Sequence, residues 1–223
     1  MNDKNSLPAG QGPAGTNQTG ALLTVASEDI AGSEEFRHLS SIAGIAVDLR
    51  YAGANNFVGR DLYSPFDCAW LHVEAAAALE AAVAWLALHA PGHTLLVLDA
   101  LRPQRVQQQL WDALEGTGLQ MYLANPARGS IHSYGMALDL TILDPQGQEL
   151  DMGTGFDDMT ELSHPALEEG FVAAGKLSEQ QVNNRRLLRG ALFGAGFVGI
   201  NTEWWHFDCG DRERVRSTFR RVL

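Results

Sequence analysis

Two short segments, about 65 residues apart, constrain what this chain can fold into more than any other feature: Ser130-Ile-His132-Ser-Tyr-Gly135-Met-Ala-Leu-Asp139 and Glu203-Trp-Trp-His206. Together they hold two imidazoles and two carboxylates. Three protein ligands and one open position are what a catalytic zinc needs, and a spare carboxylate is what a water at such a metal needs as its general base. A fold that uses them must bring both segments to one place. His132 and Asp139 are seven residues apart, and on an unbroken strand an odd separation puts two side chains on opposite faces. Gly135 offers the bend, with His132 in a loop before it and Asp139 in a strand after it. Glu203 and His206 are also an odd number apart and need a bend or bulge to face one site.

Each piece has a plainer reading. Asp139 can form a structural ion pair, His132 can be an ordinary loop histidine, and Glu203 can be a solvated strand end. An aspartate between Leu138 and Leu140 in an apolar run weighs against this, because a buried carboxylate must be paired or bind a metal. A third segment, Asp99-Ala-Leu-Arg102-Pro103, ends a buried strand with an arginine. Its guanidinium can steady an oxyanion or hold a carboxylate, with Asp99 holding Arg102 in place; the alternative is a strand-end salt bridge. His38, His72, His89 and His93 have no comparable setting, and His164 is a weak candidate for a supporting role.

The rest of the sequence sets the frame. Cys68–Ala90, rich in Ala and Leu, reads as a long buried helix stopped by Pro91-Gly92. Ile42–Tyr51, Thr94–Asp99, Met136–Leu143 and Trp204–Cys209 read as strands. Pro103 opens a second helix to about Leu114, and Ser178 caps a third that runs to Phe193. Residues 153–177 read as irregular. Helices and strands do not alternate regularly, so the expected class is α+β: a small central antiparallel sheet flanked by helices, with the metal site in a cleft on the sheet. Residues 1–33 read as a disordered leader, and 34–223 as a single catalytic domain.

The net charge of −11 and the lack of a basic stretch argue against a nucleic-acid partner. No apolar run is long enough to span a membrane and no signal-peptide pattern is seen, so a cytoplasmic location is expected. Cys68 and Cys209 are expected to be reduced, buried thiols. Oligomeric state is not legible.

Ser-x-His-x-x-Gly-x-Ala-x-Asp followed by Glu-x-x-His resembles the zinc D-alanyl-D-alanine dipeptidases of the vancomycin-resistance type, part of a wider peptidase group that shares its zinc site with the hedgehog signalling domain. The likeness runs from about Asp48 to Asp208. It includes Tyr51, Asn56-Phe57, Asp99-x-x-Arg102-Pro103, Met152-Gly-x-x-Phe156-Asp157, Ser163-His164, Asn184-Arg185-Arg186 and Glu203-Trp-Trp-His206. The resemblance implies one Zn²⁺ per chain held by His132, Asp139 and His206, with Glu203 as base and Arg102 as transition-state stabiliser. It also implies that Asp157 and Tyr51 receive the ammonium of a small dipeptide, and that Ser130 lies near its carboxylate. The implied reaction is hydrolysis of D-Ala-D-Ala to two D-alanines. The rivals are a D,D- or L,D-carboxypeptidase acting on peptidoglycan stem peptides, and a non-catalytic zinc-binding module.

Overall fold

A computed structural model describes residues 23–223. In chain order the strands and helices are β1 (Thr24–Val25), β2 (Phe36–His38), β3 (Ile45–Val47), β4 (Trp70–His72), α1 (Val73–His89), β5 (Thr94–Asp99), α2 (Gln104–Ala113), β6 (Ala137–Leu143), α3 (Glu168–Ala173), α4 (Glu179–Gly194), β7 (Phe197–Gly199), β8 (His206–Cys209), α5 (Arg212–Thr218) and β9 (Arg221–Val222). The class is α+β. A five-stranded sheet of order β3-β5-β6-β8-β7 forms the centre. It is antiparallel except for the parallel β3–β5 pair, so the sheet is mixed rather than purely antiparallel.

β6 is the middle strand, and its near-continuous burial follows from cover on both faces. Leu138, Leu140 and Ile142 are fully buried in the main core with Leu79 and Leu86 of α1 and Leu188 and Leu192 of α4. Small residues on α1 (Ala75, Ala76 and Ala82, none exposed) let the helix lie close to its neighbours. A second, smaller core of Tyr51, Leu62, Tyr63, Cys68, Val106 and Leu110 sits under the loop that follows β3.

Several sequence expectations change. The helix expected from Cys68 begins only at Val73, because Trp70–His72 instead pairs with β2. His72 therefore leaves the helix interior and becomes the N-cap of α1, its ring accepting from the Glu74 amide. The strand expected over Ile42–Tyr51 contracts to Ile45–Val47, followed by a 3₁₀ turn at Arg50–Ala52 that delivers Tyr51 to the core. Within 153–177, α3 and two 3₁₀ turns replace irregular chain. Of the expected leader, residues 1–22 lie outside the described residues. Residues 23–33 are built into the fold: β1 pairs with β9 and Ile30 is buried. Both cysteines are free and buried. No helix of the described residues is long and apolar enough to cross a membrane.

The bend at Gly135 is present. Ile131–Tyr134 is a 3₁₀ turn ended by Gly135 in the left-handed region (φ 64°). A Cβ there would sit 2.7 Å from the backbone nitrogen of His72, so both conformation and space demand glycine. Gly135→Ala is expected to destabilise the protein by about 1–3 kcal/mol, read as a lowered midpoint in chemical denaturation. An unchanged midpoint would show that the turn relaxes freely.

Candidate functional site

The register of the central sheet builds the site. Asp99 of β5 lies opposite Asp139 of β6, and Asp139 lies opposite His206 of β8. Directly paired residues share a face of the sheet, so these three form one row across three strands. The pairing of β5 with β6 slips between Val97 and Asp99. This bulge turns Asp99, in place of Leu98, toward Asp139.

His132 arrives from the 3₁₀ turn before β6. Its Nδ1 lies 2.8 Å from the Ala100 carbonyl oxygen, so that nitrogen carries the proton and Nε2 has a free lone pair. Nε2 of His206 lies 3.0 Å from Asp208, which leaves its Nδ1 free. The two free nitrogens are 3.1 Å apart. Oδ1 of Asp139 is 3.0 Å from Nδ1 of His206 and 3.5 Å from Nε2 of His132. Each outer acceptor takes the hydrogen of the far ring nitrogen, so two imidazole lone pairs and a carboxylate oxygen converge. The edge of a tetrahedron with metal–ligand bonds of about 2.0–2.1 Å is about 3.3 Å, and the three separations bracket that value. The residues fit a tetrahedral metal ion, and each ligand imidazole is oriented by an acceptor on its far side.

The electrostatics agree with this geometry. Burial alone would lower the pKa of His206, but Asp208 and Asp139 outweigh it and raise it well above its ordinary value. The same two carboxylates favour a cation at this position, whether a proton or a metal ion. Burial opposes ionisation of Asp139, yet His132 and His206 hold its pKa well below the carboxylate range. Asp208 is likewise held at about 2, against burial, by His206 and then Arg212.

Arg102 follows β5. It is buried, with a guanidinium nitrogen 2.6 Å from Asp99 and 3.2 Å from Asp139. Another nitrogen donates to Gln107 of α2 at 3.1 Å. Asp99 also accepts from the Tyr63 hydroxyl. The expected pairing of Asp99 with Arg102 is thus present; Tyr63 and Gln107 are additional supports that sequence spacing gave no reason to choose.

Glu203 and His206 are separated by a bend at Trp204 and Trp205, with β8 starting at His206. The bend brings Glu203 to the wall of the same cavity as the triad. Burial pushes its carboxyl up to about 7. Trp204 and Trp205 are both buried. Trp205 packs edge-on against Phe156 at 5.7 Å, and Trp204 donates to the Thr154 hydroxyl at 2.8 Å.

Asp157 and Tyr51 line this cavity too. The Tyr51 hydroxyl donates to both Asp157 oxygens, at 2.9 and 3.1 Å. Burial raises the Asp157 carboxyl well above its usual range. Its backbone sits at φ 61°, a conformation that costs energy for any non-glycine residue. The segment is held from behind by α4. Arg185 donates to the Met152 carbonyl at 2.7 Å and the Leu162 carbonyl at 3.0 Å, and Asn184 to the Asp151 carbonyl at 2.8 Å. His164 is hydrogen-bonded to the Tyr122 hydroxyl at 2.9 Å, joining two loops rather than reaching the triad. Ser130, also in the cavity wall, is buried and opens the turn that carries His132.

The cavity, about 420 Å³, is lined by Tyr51, Arg102, Ser130, His132, Asp139, Asp157, Glu203 and His206; Asp99 stands behind Arg102, and His164 is not part of the wall. Its size falls in the range of small-molecule sites.

Comparisons with known proteins identify the family. A family model described as D-Ala-D-Ala dipeptidase matches residues 33–222. The chain is 40% identical over 164 residues to a D-alanyl-D-alanine dipeptidase of Escherichia coli (strain K12), covering 74% of this chain and 78% of that protein. It is 32% identical over 197 residues to one of Enterococcus faecium, covering 80% and 92%. It is also 30% identical over 181 residues to one of Enterococcus faecalis, covering 74% and 85%. With a family model matching nearly all of the described residues and relatives up to 40% identical over most of their length, the chain belongs to the D-Ala-D-Ala dipeptidase family of peptidases.

Proposed function

We propose that this chain is a zinc-dependent dipeptidase that hydrolyses D-Ala-D-Ala to two D-alanines. The observation that carries the reading is the convergence of two imidazole lone pairs and one carboxylate oxygen in the wall of a small cavity that also holds a half-buried carboxylate, Asp157. His132, Asp139 and His206 would hold one zinc ion. When bound, zinc supplies a Lewis acid that polarises the scissile carbonyl and makes water more acidic.

The protein's own groups divide the rest of the work. Asp157, with the Tyr51 hydroxyl, receives the substrate ammonium; an arriving cation offsets the burial that raises the Asp157 carboxyl above its usual range. Ser130 offers a hydroxyl to the terminal carboxylate. Glu203 takes a proton from the attacking water as its oxygen bonds to the carbonyl carbon, then delivers it to the departing nitrogen as the carbon–nitrogen bond breaks. Arg102 has five N–H donors. Nε donates to Asp99, Nη1 to Gln107 and Nη2 to Asp139, which leaves the second Nη1–H for the developing oxyanion.

The ligand assignment predicts one zinc per chain, lost on His132→Ala, Asp139→Ala or His206→Ala. Zinc must also displace the proton that Asp208 and Asp139 hold on His206. Uptake should therefore release about one proton and weaken as pH falls, which calorimetry in buffers of different ionisation enthalpy would detect. Full zinc content in all three variants would refute the assignment.

Glu203→Ala should retain zinc and fold but lose about 10²–10⁴-fold in kcat. The base acts only when ionised, so kcat/KM at saturating zinc should fall as pH drops through the pKa of Glu203. That value is about 7 in the metal-free protein and lower beside a cation, so the acid limb should have its midpoint at or below about pH 7. A midpoint well above 7, or near wild-type turnover by Glu203→Ala, would remove Glu203 from this role.

The ammonium contact predicts a length filter. N-acetyl-D-Ala-D-Ala leaves Asp157 without its cation, a loss of about 1–3 kcal/mol or more. Free dipeptide should therefore be preferred by at least about tenfold in kcat/KM, and Asp157→Ala should shrink that preference. Equal cleavage of both substrates by wild type would favour a carboxypeptidase instead.

A further inference from the structure

The wall of the cavity at Ser130 carries charge that the reaction as derived does not use. Arg128 comes from the loop before Ser130, and Arg212 and Arg216 from successive turns of α5; all three line the cavity. Their counter-charges are few. Arg212 is held 2.5 Å from Asp208, but Asp208 also serves His206. Arg128 and Arg216 share one oxygen of Glu213, at 3.1 and 3.4 Å. Three guanidinium groups therefore face two carboxylates, one already committed, in a protein whose net charge is −11. Burial, then repulsion from Arg128, lowers the pKa of Arg216, with Arg212 adding to the repulsion and Glu213 only partly offsetting it.

The placement is built rather than incidental. The side chain of Arg216 is only 15% exposed, and two of its nitrogens reach the carbonyl of Gly129 at 3.3 Å, bracing the residue before Ser130. Ser130 spends no side-chain hydrogen bond on capping its turn. The charges that act on Asp157 include Arg102, Asp139 and Glu203; those that act on Arg216 include Arg128, Glu213 and Arg212. Asp157 is held by Tyr51, whereas Arg216 is held against Gly129 beside Ser130, so the wall has an acidic part and a basic part. A dipeptide whose ammonium sits at Asp157 directs its C-terminal residue toward the other.

We propose that Arg128, Arg212 and Arg216 form an anion-selecting wall for the C-terminal residue of the substrate, so that dipeptides with a carboxylate side chain there, such as D-Ala-D-Glu, are preferred over their neutral isosteres. Guanidinium groups recognise carboxylates through paired, charge-assisted hydrogen bonds. A second carboxylate on the substrate meets the excess cation directly. The inference rests on the dipeptidase reading above, and its test separates the two.

The experiment measures kcat/KM for D-Ala-D-Ala, D-Ala-D-Glu and D-Ala-D-Gln with the zinc-loaded wild type, Arg128→Gln and Arg216→Gln. Glutamate and glutamine have nearly the same shape, so their ratio within one enzyme isolates charge and cancels losses common to both. Wild type should favour D-Ala-D-Glu over D-Ala-D-Gln by about tenfold. The ratio should fall severalfold in each variant and also with added salt, which screens exposed charges. Arg216 braces Gly129, so its variant carries a folding risk; the side chain of Arg128 is 65% exposed, and its replacement leaves the core untouched. A wild-type ratio near one, with D-Ala-D-Ala cleaved, overturns the arginine wall alone, as does a ratio that neither variant changes. If wild type leaves all three dipeptides intact, the dipeptidase reading falls and the wall with it.

Discussion

The structure depends on a row of ionisable groups set across the middle of its sheet. Asp99, Asp139 and His206 are neighbours in register on three adjacent strands, and neither aspartate has appreciable exposure. Two carboxylates so placed repel each other and lose their hydration, which the interior tolerates only if cations compensate. Arg102 is one, bridging both carboxylates. The other must sit among His132, Asp139 and His206, whether a proton on His206 or a metal ion. The buried arginine, the bulge in β5 and the turn at Gly135 can all be understood as consequences of placing negative charge at the centre of a sheet and then balancing it.

Further from this row, each group that would touch substrate is oriented by a partner that does not. Ala100 sets the tautomer of His132 and Asp208 that of His206. Tyr63 and Gln107 steady Asp99 and Arg102. Such outer hydrogen bonds fix direction more than they add stability, because each replaces a bond to water at small net gain. Their loss would appear as misplaced ligands in a protein that still folds.

The site was more legible in the sequence than the fold around it. His132, Asp139, Glu203 and His206 could be read because chemistry restricts which side chains serve and because odd spacings demanded the bends found at Gly135 and Trp204–Trp205. The start of α1 was misplaced because Trp70-Leu71-His72 has no helix-breaking residue. Only its pairing with Phe36–His38 makes it a strand, and that partner lies over 30 residues away in the chain. The segment 23–33 was read as disordered for the same reason: its order comes from β9, at the other end of the described chain. Arg185 could be quoted as part of a pattern, but nothing local says that its guanidinium reaches back to carbonyls at 152 and 162.

That reach has a consequence for how the enzyme would spend its binding energy. Arg185 ties both flanks of the segment bearing Asp157 to a core helix, so the uncommon backbone geometry of Asp157 is already set when a ligand arrives. A loop that had to order itself would forfeit part of every contact it made, by about 0.5–1.5 kcal/mol per immobilised side chain. Here the entropy was surrendered during folding. As a recognising surface it would act as a rigid gauge: it would discriminate by fit at the moment of encounter, and a ligand of the wrong length would gain nothing by waiting for the protein to adapt.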